Sequence, residues 1–169
     1  MSDYNLFPAV DAGYNFPPAI RQALGASPEL VSTDELTAAL LTVARSRKLL
    51  SVTTSTLADK AEWTGTAALG LAYRLMAITT SAPCRVRIYA TTTQRTADAS
   101  RAIGTDPIGN SGLLFEFVSS TGKLASGLTP AVDGYNLEAI PVVTDAISIQ
   151  NLSGASAAII TSFTYITTE

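Results

Sequence analysis

The stretch RVRIYA at residues 85–90 decides the fold class, because its residue types alternate strictly. Val86 and Ile88 share one parity with an alanine, while Arg85 and Arg87 share the other with a tyrosine. Successive side chains of a β-strand point to opposite faces of the sheet. The stretch therefore predicts a strand with one buried face and one cationic face.

The same two-residue period recurs after residue 50, and turn residues separate the alternating stretches. In the last stretch Phe163 and Tyr165 share one face, while Ile160 and Ile166 mark the other. About eight strands are predicted, at residues 50–57, 63–69, 71–80, 85–91, 112–119, 123–128, 146–151 and 157–167. Short strands joined by polar turns predict a mainly β fold, an antiparallel β-sandwich of the jelly-roll or a related kind.

One connection between the predicted strands is long. Residues 92–111 contain TADAS at residues 96–100, which favours a helical turn, followed by Gly104 and Pro107. Long connections on a rigid scaffold often carry function. This segment is therefore a candidate for a functional loop.

Residues 1–49 are predicted to form an arm and two short α-helices ahead of the sandwich domain of residues 50–169. YNLFP at residues 4–8 is echoed by YNFPP at residues 14–18, and such prolines favour extended chain before a short helix that Gly25 ends. Four aromatic rings in so short a segment need a surface elsewhere. The predicted partner-docking residues are Tyr4, Phe7, Tyr14, Phe16, Ile20 and Leu24.

The second predicted helix has a clearer start. Ser32 with Glu35 three positions later forms a capping box, and basic residues follow at the far end. An apolar stripe at helical spacing predicts a helix interface made by Leu36, Leu40 and Val43. Its partner is either the chain's own sandwich or a sister subunit, or else an unrelated protein.

Composition excludes several classes of protein. The chain is 47% hydrophobic and only 15% charged, which argues against disorder and suits a β-rich protein. The net charge is −3 and no run of lysine or arginine forms a phosphate-binding stripe, so nucleic acid is not an expected partner. Cys84 is the single cysteine, which rules out an intramolecular disulfide and favours a small buried side chain.

Residues 146–168 carry no charge and are long enough to cross a bilayer. Polar residues interrupt the segment at intervals that would surround a helix, so two strands and a turn are predicted and no membrane partner is expected. The first ten residues lack the basic start and apolar run of a secretory signal. We therefore expect synthesis in a cytoplasm.

The sequence offers little material for catalysis. It has no histidine, which removes the commonest general base and transition-metal ligand. A pair of carboxylates can cleave a glycosidic bond, and several carboxylates can bind calcium. The acidic residues in or beside the loops of this sequence have neither the spacing of a catalytic pair nor that of a helix-loop-helix calcium site. We expect no enzyme activity, no cofactor and no metal site.

Two further groups of residues are candidate ligand or interface positions. Trp63 and Tyr135, with Tyr73 and Tyr89, would suit either a sugar-binding platform or core and interface packing. Arg85 and Arg87 would suit either recognition of an acidic partner or an exposed face with ordinary cross-strand pairs. The possible ligand or interface face comprises Trp63, Arg85, Arg87 and Tyr135.

Residues 14–24, YNFPPAIRQAL, resemble the N-terminal segment of minor tail proteins from tailed bacteriophages that infect actinobacteria. RVRIYA at residues 85–90, RTADA at 95–99, GTDP at 104–107 and NLSG at 151–154 resemble a small β domain found among the virion structural proteins of such phages. The resemblance implies a virion subunit associated with the tail, anchored by its N-terminal segment. It implies no catalysis.

We expect a structural protein of the phage particle, made in the host cytoplasm, that forms a homo-oligomer and contacts other phage structural proteins. A second hypothesis keeps the fold but places the protein on the capsid, as a decoration or head-fibre subunit. A third is a glycan-binding module that touches the host surface during attachment.

Overall fold

The computed structural model of the protein describes residues 46–168, which belong to the second of two compact units of the chain, Leu41–Glu169. The arm, both predicted helices and their residues (Tyr4, Phe7, Tyr14, Phe16, Ile20, Leu24, Leu36, Leu40 and Val43) lie outside the described residues. The division of the chain at residues 49 and 50 stays a prediction.

The described residues are mainly β, with eight strands and one short helix. The strands are β1 (Lys48–Thr53), β2 (Glu62–Ala67), β3 (Ala72–Thr80), β4 (Cys84–Tyr89), β5 (Leu113–Val118), β6 (Ala125–Tyr135), β7 (Asp145–Asn151) and β8 (Ile160–Thr167). The helix is α1 (Thr92–Ala97), between β4 and β5. The predicted number of strands and the mainly β class are confirmed.

The strands form two antiparallel sheets of four. One sheet has the order β1-β8-β3-β6, and the other has the order β2-β7-β4-β5. Four pairs join a strand of the first half to one of the second half, namely β1 with β8, β2 with β7, β3 with β6 and β4 with β5. The sheets are completed by β3 with β8 and β4 with β7.

One hydrophobic core lies between the two sheets. Phe163 of β8 and Leu75 of β3 come from one sheet, and Val86 of β4 and Ile149 of β7 come from the other, and all are fully buried in a single cluster. Because one cluster draws on both sheets, the sheets pack face to face. Cys84 is buried in the same core, as expected.

Strand β3 departs from simple alternation. Leu75 and Ile78 are both buried although they are three residues apart. The pairing of β3 with both of its neighbours shifts register between Leu75 and Ala77. One extra residue at this point reverses the alternation of side chains in the strand. Ile78 therefore points into the core like Leu75, although the two residues are three positions apart.

Strand β6 is longer than predicted. The prediction ended at residue 128, whereas the strand continues through Pro130 to Tyr135. It is an edge strand of its sheet, and its pairing with β3 passes from Gly127 to Val132. Proline is tolerated at such positions because no ladder hydrogen bond is required of its nitrogen.

Helix α1 begins earlier than the helical turn predicted at residues 96–100. Thr91 caps it, since its hydroxyl accepts a hydrogen bond from the Gln94 backbone N–H at 3.1 Å. The uncharged stretch of residues 146–168 forms β7 and β8, as predicted. No helix within residues 46–168 is long and apolar enough to cross a bilayer.

The expected exposed cationic face of β4 is wrong. Every residue of Cys84–Tyr89 is buried, and Arg85 and Arg87 are only 2% and 1% exposed. Their side chains donate hydrogen bonds to backbone carbonyls of the connection that follows α1. That connection covers the outer face of the strand, so β4 is buried on both sides.

Candidate functional site

The outer face of the β2-β7-β4-β5 sheet carries a cluster of buried charges. Arg85 and Arg87 have the parity opposite to the core residues of β4, so they point away from the core. Two other strands of the same sheet supply acids: β5, which pairs with β4, provides Glu116, and β2, beyond β7, provides Glu62. We call the following six residues the arginine cluster: Glu62, Arg85, Arg87, Asp98, Arg101 and Glu116.

Ion pairs within the sheet hold the first layer of the arginine cluster. The Arg85 Nε atom donates to Glu116 Oε1 at 2.8 Å. The Arg87 Nη2 atom donates to Glu62 Oε2 at 2.6 Å. Each buried guanidinium therefore meets a carboxylate on a different strand, which fixes the position of both arginines.

The connection after β4 supplies the second layer. Asp98, just after α1, accepts hydrogen bonds from the Tyr89 hydroxyl at 2.7 Å and from Arg101 Nε at 2.9 Å. Arg101 also donates to Glu116 through its Nη2 atom. Because Arg101 bridges Asp98 and Glu116, it links the connection to strand β5.

Backbone carbonyls of the connection complete the arrangement. Arg85 Nη1 donates to the Arg101 carbonyl at 2.7 Å, and Arg87 Nη1 donates to the Asp98 carbonyl at 3.0 Å. From α1, Arg95 Nη1 donates to the carbonyl of Gly65 on β2 at 2.7 Å. These hydrogen bonds satisfy the buried carbonyl groups and fasten α1 and residues 98–101 to the sheet.

The electrostatics of the arginine cluster keep its charges fixed. Burial raises the pKa of Glu116, but the hydrogen bonds from Arg85 and Arg101 outweigh burial and hold that pKa below its ordinary value. The pKa of Asp98 is lowered in the same sense, since bonds from Tyr89 and Arg101 outweigh burial. Both acids are therefore ionised at neutral pH and face three arginines.

Three guanidiniums and three carboxylates leave the arginine cluster without net charge. The pKa values of Asp98 and Glu116 are lowered, so neither carboxyl group suits proton donation at neutral pH. Within the described part of the chain, no group of three or more acidic or thiol side chains is placed to hold a metal ion. The arrangement fastens the connection after β4 to the sheet.

The four residues of the predicted ligand or interface face do not share a surface. Arg85 and Arg87 lie under the connection. Trp63 packs against the core, and its indole lies over Gly65, where an added Cβ would be 2.0 Å from the ring. Tyr135 ends β6 in the other sheet and is 48% exposed. A ligand role for any of them stays a prediction.

A buried acid that the sequence reasoning missed lies at the start of β7. Asp145 is fully buried opposite Ala67, and neither of its carboxylate oxygens has a hydrogen-bond partner within the structure. Burial raises its pKa to about 7. The sequence contained a signal for this burial, because Asp145 lies at alternate positions with the core residues Ile147 and Ile149 and so shares their face of the strand.

One end of the sandwich exposes apolar side chains. The connection between β6 and β7 carries four of them, and Leu71 is tied to it because the Leu71 carbonyl accepts from the Asn136 N–H at 2.9 Å. We call these residues, together with the last residue of β6, the apolar end: Leu71, Tyr135, Leu137, Ile140, Val142 and Val143. Glu138 is the only charge in the connection, and it accepts hydrogen bonds from the Thr92 N–H and hydroxyl.

Comparison of this chain with protein-family models, with curated proteins and with solved structures found no match. The arguments about function therefore rest on the residues themselves.

Proposed function

We propose that the protein is a structural subunit of a tailed-bacteriophage particle, tail-associated, with a jelly-roll sandwich and an N-terminal docking arm. The observation that carries the proposal is the pairing of the strands. Support also comes from the resemblance of residues 14–24 to tail proteins and from the exposed apolar end of the sandwich.

The strand pairing supports a jelly roll. When a hairpin-like ribbon of eight strands folds over, the first strand pairs with the eighth, the second with the seventh, the third with the sixth and the fourth with the fifth. The sandwich contains these four antiparallel pairs. Two sheets of four strands, ordered β1-β8-β3-β6 and β2-β7-β4-β5, are what such a wrapped ribbon produces.

Jelly rolls recur in viral capsid proteins, in lectins and in cupins. Metal-binding cupin chemistry would need histidine ligands, which this sequence lacks. A fold alone does not decide between a particle subunit and a lectin. The resemblance of residues 14–24 to phage tail proteins favours the particle subunit.

A subunit of a particle must bind its neighbours, and the apolar end is a suitable surface. Ile140 is 81% exposed, and Leu137 and Val143 are each 59% exposed. Large apolar side chains clustered in this way mark an interaction site. The partner that fits is a second copy of the chain, since Glu138 is the single charge of the β6–β7 connection and already accepts hydrogen bonds from Thr92.

The experiment that tests the proposal is quantification of the chain in purified phage particles by mass spectrometry, with antibody labelling to locate it. Three or six copies at the tail tip would support the tail assignment, and hundreds of copies would favour the capsid decoration alternative. Absence from intact particles would refute both.

The glycan-binding alternative is favoured by one observation, the exposed ring of Tyr135 at the end of the sandwich. It predicts that Tyr135→Ala weakens binding of the protein to host cell-wall glycans on an array. Wild-type protein that binds no glycan on the array would eliminate this alternative and leave the structural role untouched.

A further inference from the structure

We propose that a cleft beside the arginine cluster binds an oxyanion, the carboxylate or phosphate group of a small ligand, between Arg85 and Lys60. This inference goes beyond the structural role proposed above and does not depend on it.

The cleft lies between the β1–β2 connection and the connection that follows α1. Its volume is about 350 Å³, which matches the lower range of small-molecule sites. Lys60 and Gln150 line one side, and Ile103 lines the other. Arg85 also lines it, and because its side chain is only 2% exposed, it forms the base of the cleft.

Arg85, which lines the cleft, has an unused hydrogen-bond donor that is closed off from solvent. Its Nε atom donates to Glu116 and its Nη1 atom to the Arg101 carbonyl, but its Nη2 atom is buried without a partner. Buried polar groups are nearly always satisfied, and a charged donor left without an acceptor is costly. An oxyanion in the cleft would supply the missing acceptor in the geometry that a guanidinium prefers.

The charges around the cleft also favour an anion. The arginine cluster is neutral by itself, and Lys60 adds one positive charge that no carboxylate of residues 46–168 pairs with. Glu62 also lines the cleft, but its carboxylate is paired with Arg87, and the carboxylate of Asp59 accepts from the Gly154 backbone N–H. An exposed ammonium above a buried guanidinium provides two cationic donors for one anionic group.

The backbone of Lys60 is unusual. Its φ of 64° is the one positive value at a non-glycine position in the described part of the chain. The Lys60 N–H donates to the Asn151 carbonyl at 2.8 Å, and its own carbonyl accepts from Gln150 Nε2 at 3.0 Å. Glycine or asparagine would adopt this conformation at lower cost. A lysine held there by its neighbours is expected where its ammonium is needed.

The test is a titration of the full-length protein with sodium phosphate, acetate and glucuronate at constant ionic strength, followed by backbone amide NMR shifts. We expect saturable shifts at residues 99–103 and at Lys60. Phosphate tighter than acetate would identify a phosphate-bearing ligand, and glucuronate tighter than acetate would identify an acidic sugar. Either order supports the site.

Replacement of Arg85 should disturb folding because its side chain is buried, so the informative variant is Lys60→Asn, which removes the charge and tolerates the positive φ. It should weaken binding about fivefold, the effect of one charge contact in water. The matched control is Lys123→Gln, which removes an exposed lysine in another connection and should leave the affinity unchanged. Non-saturable shifts, or equal affinities in both variants and wild type, would overturn the proposal.

Discussion

Asp145 is the residue whose environment departs furthest from that of a free side chain. Its carboxyl group is fully buried without a hydrogen-bond partner, and burial raises its pKa from 3.8 to about 7. The nearby Tyr73 hydroxyl is also buried and unpartnered, and its pKa is raised by burial and by the charge of Asp145. The interior therefore favours the neutral acid.

We predict that the stability of the protein falls as pH rises through the range in which Asp145 loses its proton. A raised folded-state pKa means that the folded state holds a proton that the unfolded state has lost, so the Asp145 contribution to the free energy of unfolding is largest below about pH 4 and declines until about pH 7. The Asp145 contribution to this decline between about pH 5 and pH 7 should be about 2–3 kcal/mol. The carboxylates of Asp98 and Glu116 have lowered pKa values, so they change the free energy of unfolding only at more acidic pH.

Urea denaturation of Asp145→Asn at a series of pH values measures this effect. The variant should lose most of the decline between about pH 5 and pH 7, whatever the absolute cost of the buried amide. Asp133→Asn is the control, since Asp133 is exposed and its hydrogen bond from Arg74 lowers its pKa, which gives a dependence of the opposite sign. If the free energy of unfolding of Asp145→Asn fell with pH as steeply as that of the wild type, the prediction would be contradicted.

At the scale of elements, α1 and the chain after it are held by charge pairs more than by apolar packing. No residue of α1 is buried, whereas the Arg101 side chain is 7% exposed and bridges two carboxylates. Breaking a buried ion pair leaves the remaining charges without compensation. The connection should therefore depend on Arg101 more than the sheets do.

We predict that Arg101→Ala loosens this connection selectively. The free energy of unfolding should fall by about 2–4 kcal/mol, and amide hydrogens of residues 92–111 should exchange faster while those of β7 keep their protection. Hydrogen exchange detected by mass spectrometry measures both regions at once. Arg74→Ala breaks an exposed pair with Asp133 and should change neither quantity appreciably. Uniform acceleration across the sheets would argue against a local fastening role.

Alternation in the sequence was sufficient to place the strands, because one side of each strand lies on the core. It was insufficient for the outer face of β4. An arginine at every second position normally marks solvent, and only the fold reveals that the distant residues Asp98 and Arg101 cover that face. Alternation was also insufficient in β3. It could not predict that Leu75 and Ile78 are both buried, because this depends on the register shift that lies between them.

For the whole molecule, the pairing of opposite strands leaves the β6–β7 connection at one end of the sandwich with apolar side chains facing outward. Partial burial of these side chains against a second copy would remove their apolar area from water, and the single charge of the connection, Glu138, is hydrogen-bonded to Thr92. The surface would then account for a homo-oligomer without any contribution from the arginine cluster, which is already neutralised within one chain.

We predict that the full-length protein self-associates through the apolar end and that Ile140→Asp weakens this association about tenfold or more, because a charge would be buried between the copies. Sedimentation equilibrium measures the dissociation constant, and thermal unfolding of the monomeric fraction should be unchanged, since Ile140 is 81% exposed. Ile108→Asp introduces the same charge at an 89% exposed position on the long connection and should leave the association intact. Equal weakening by both variants would indicate general charge repulsion, and no weakening by Ile140→Asp would place the contact between copies on another surface.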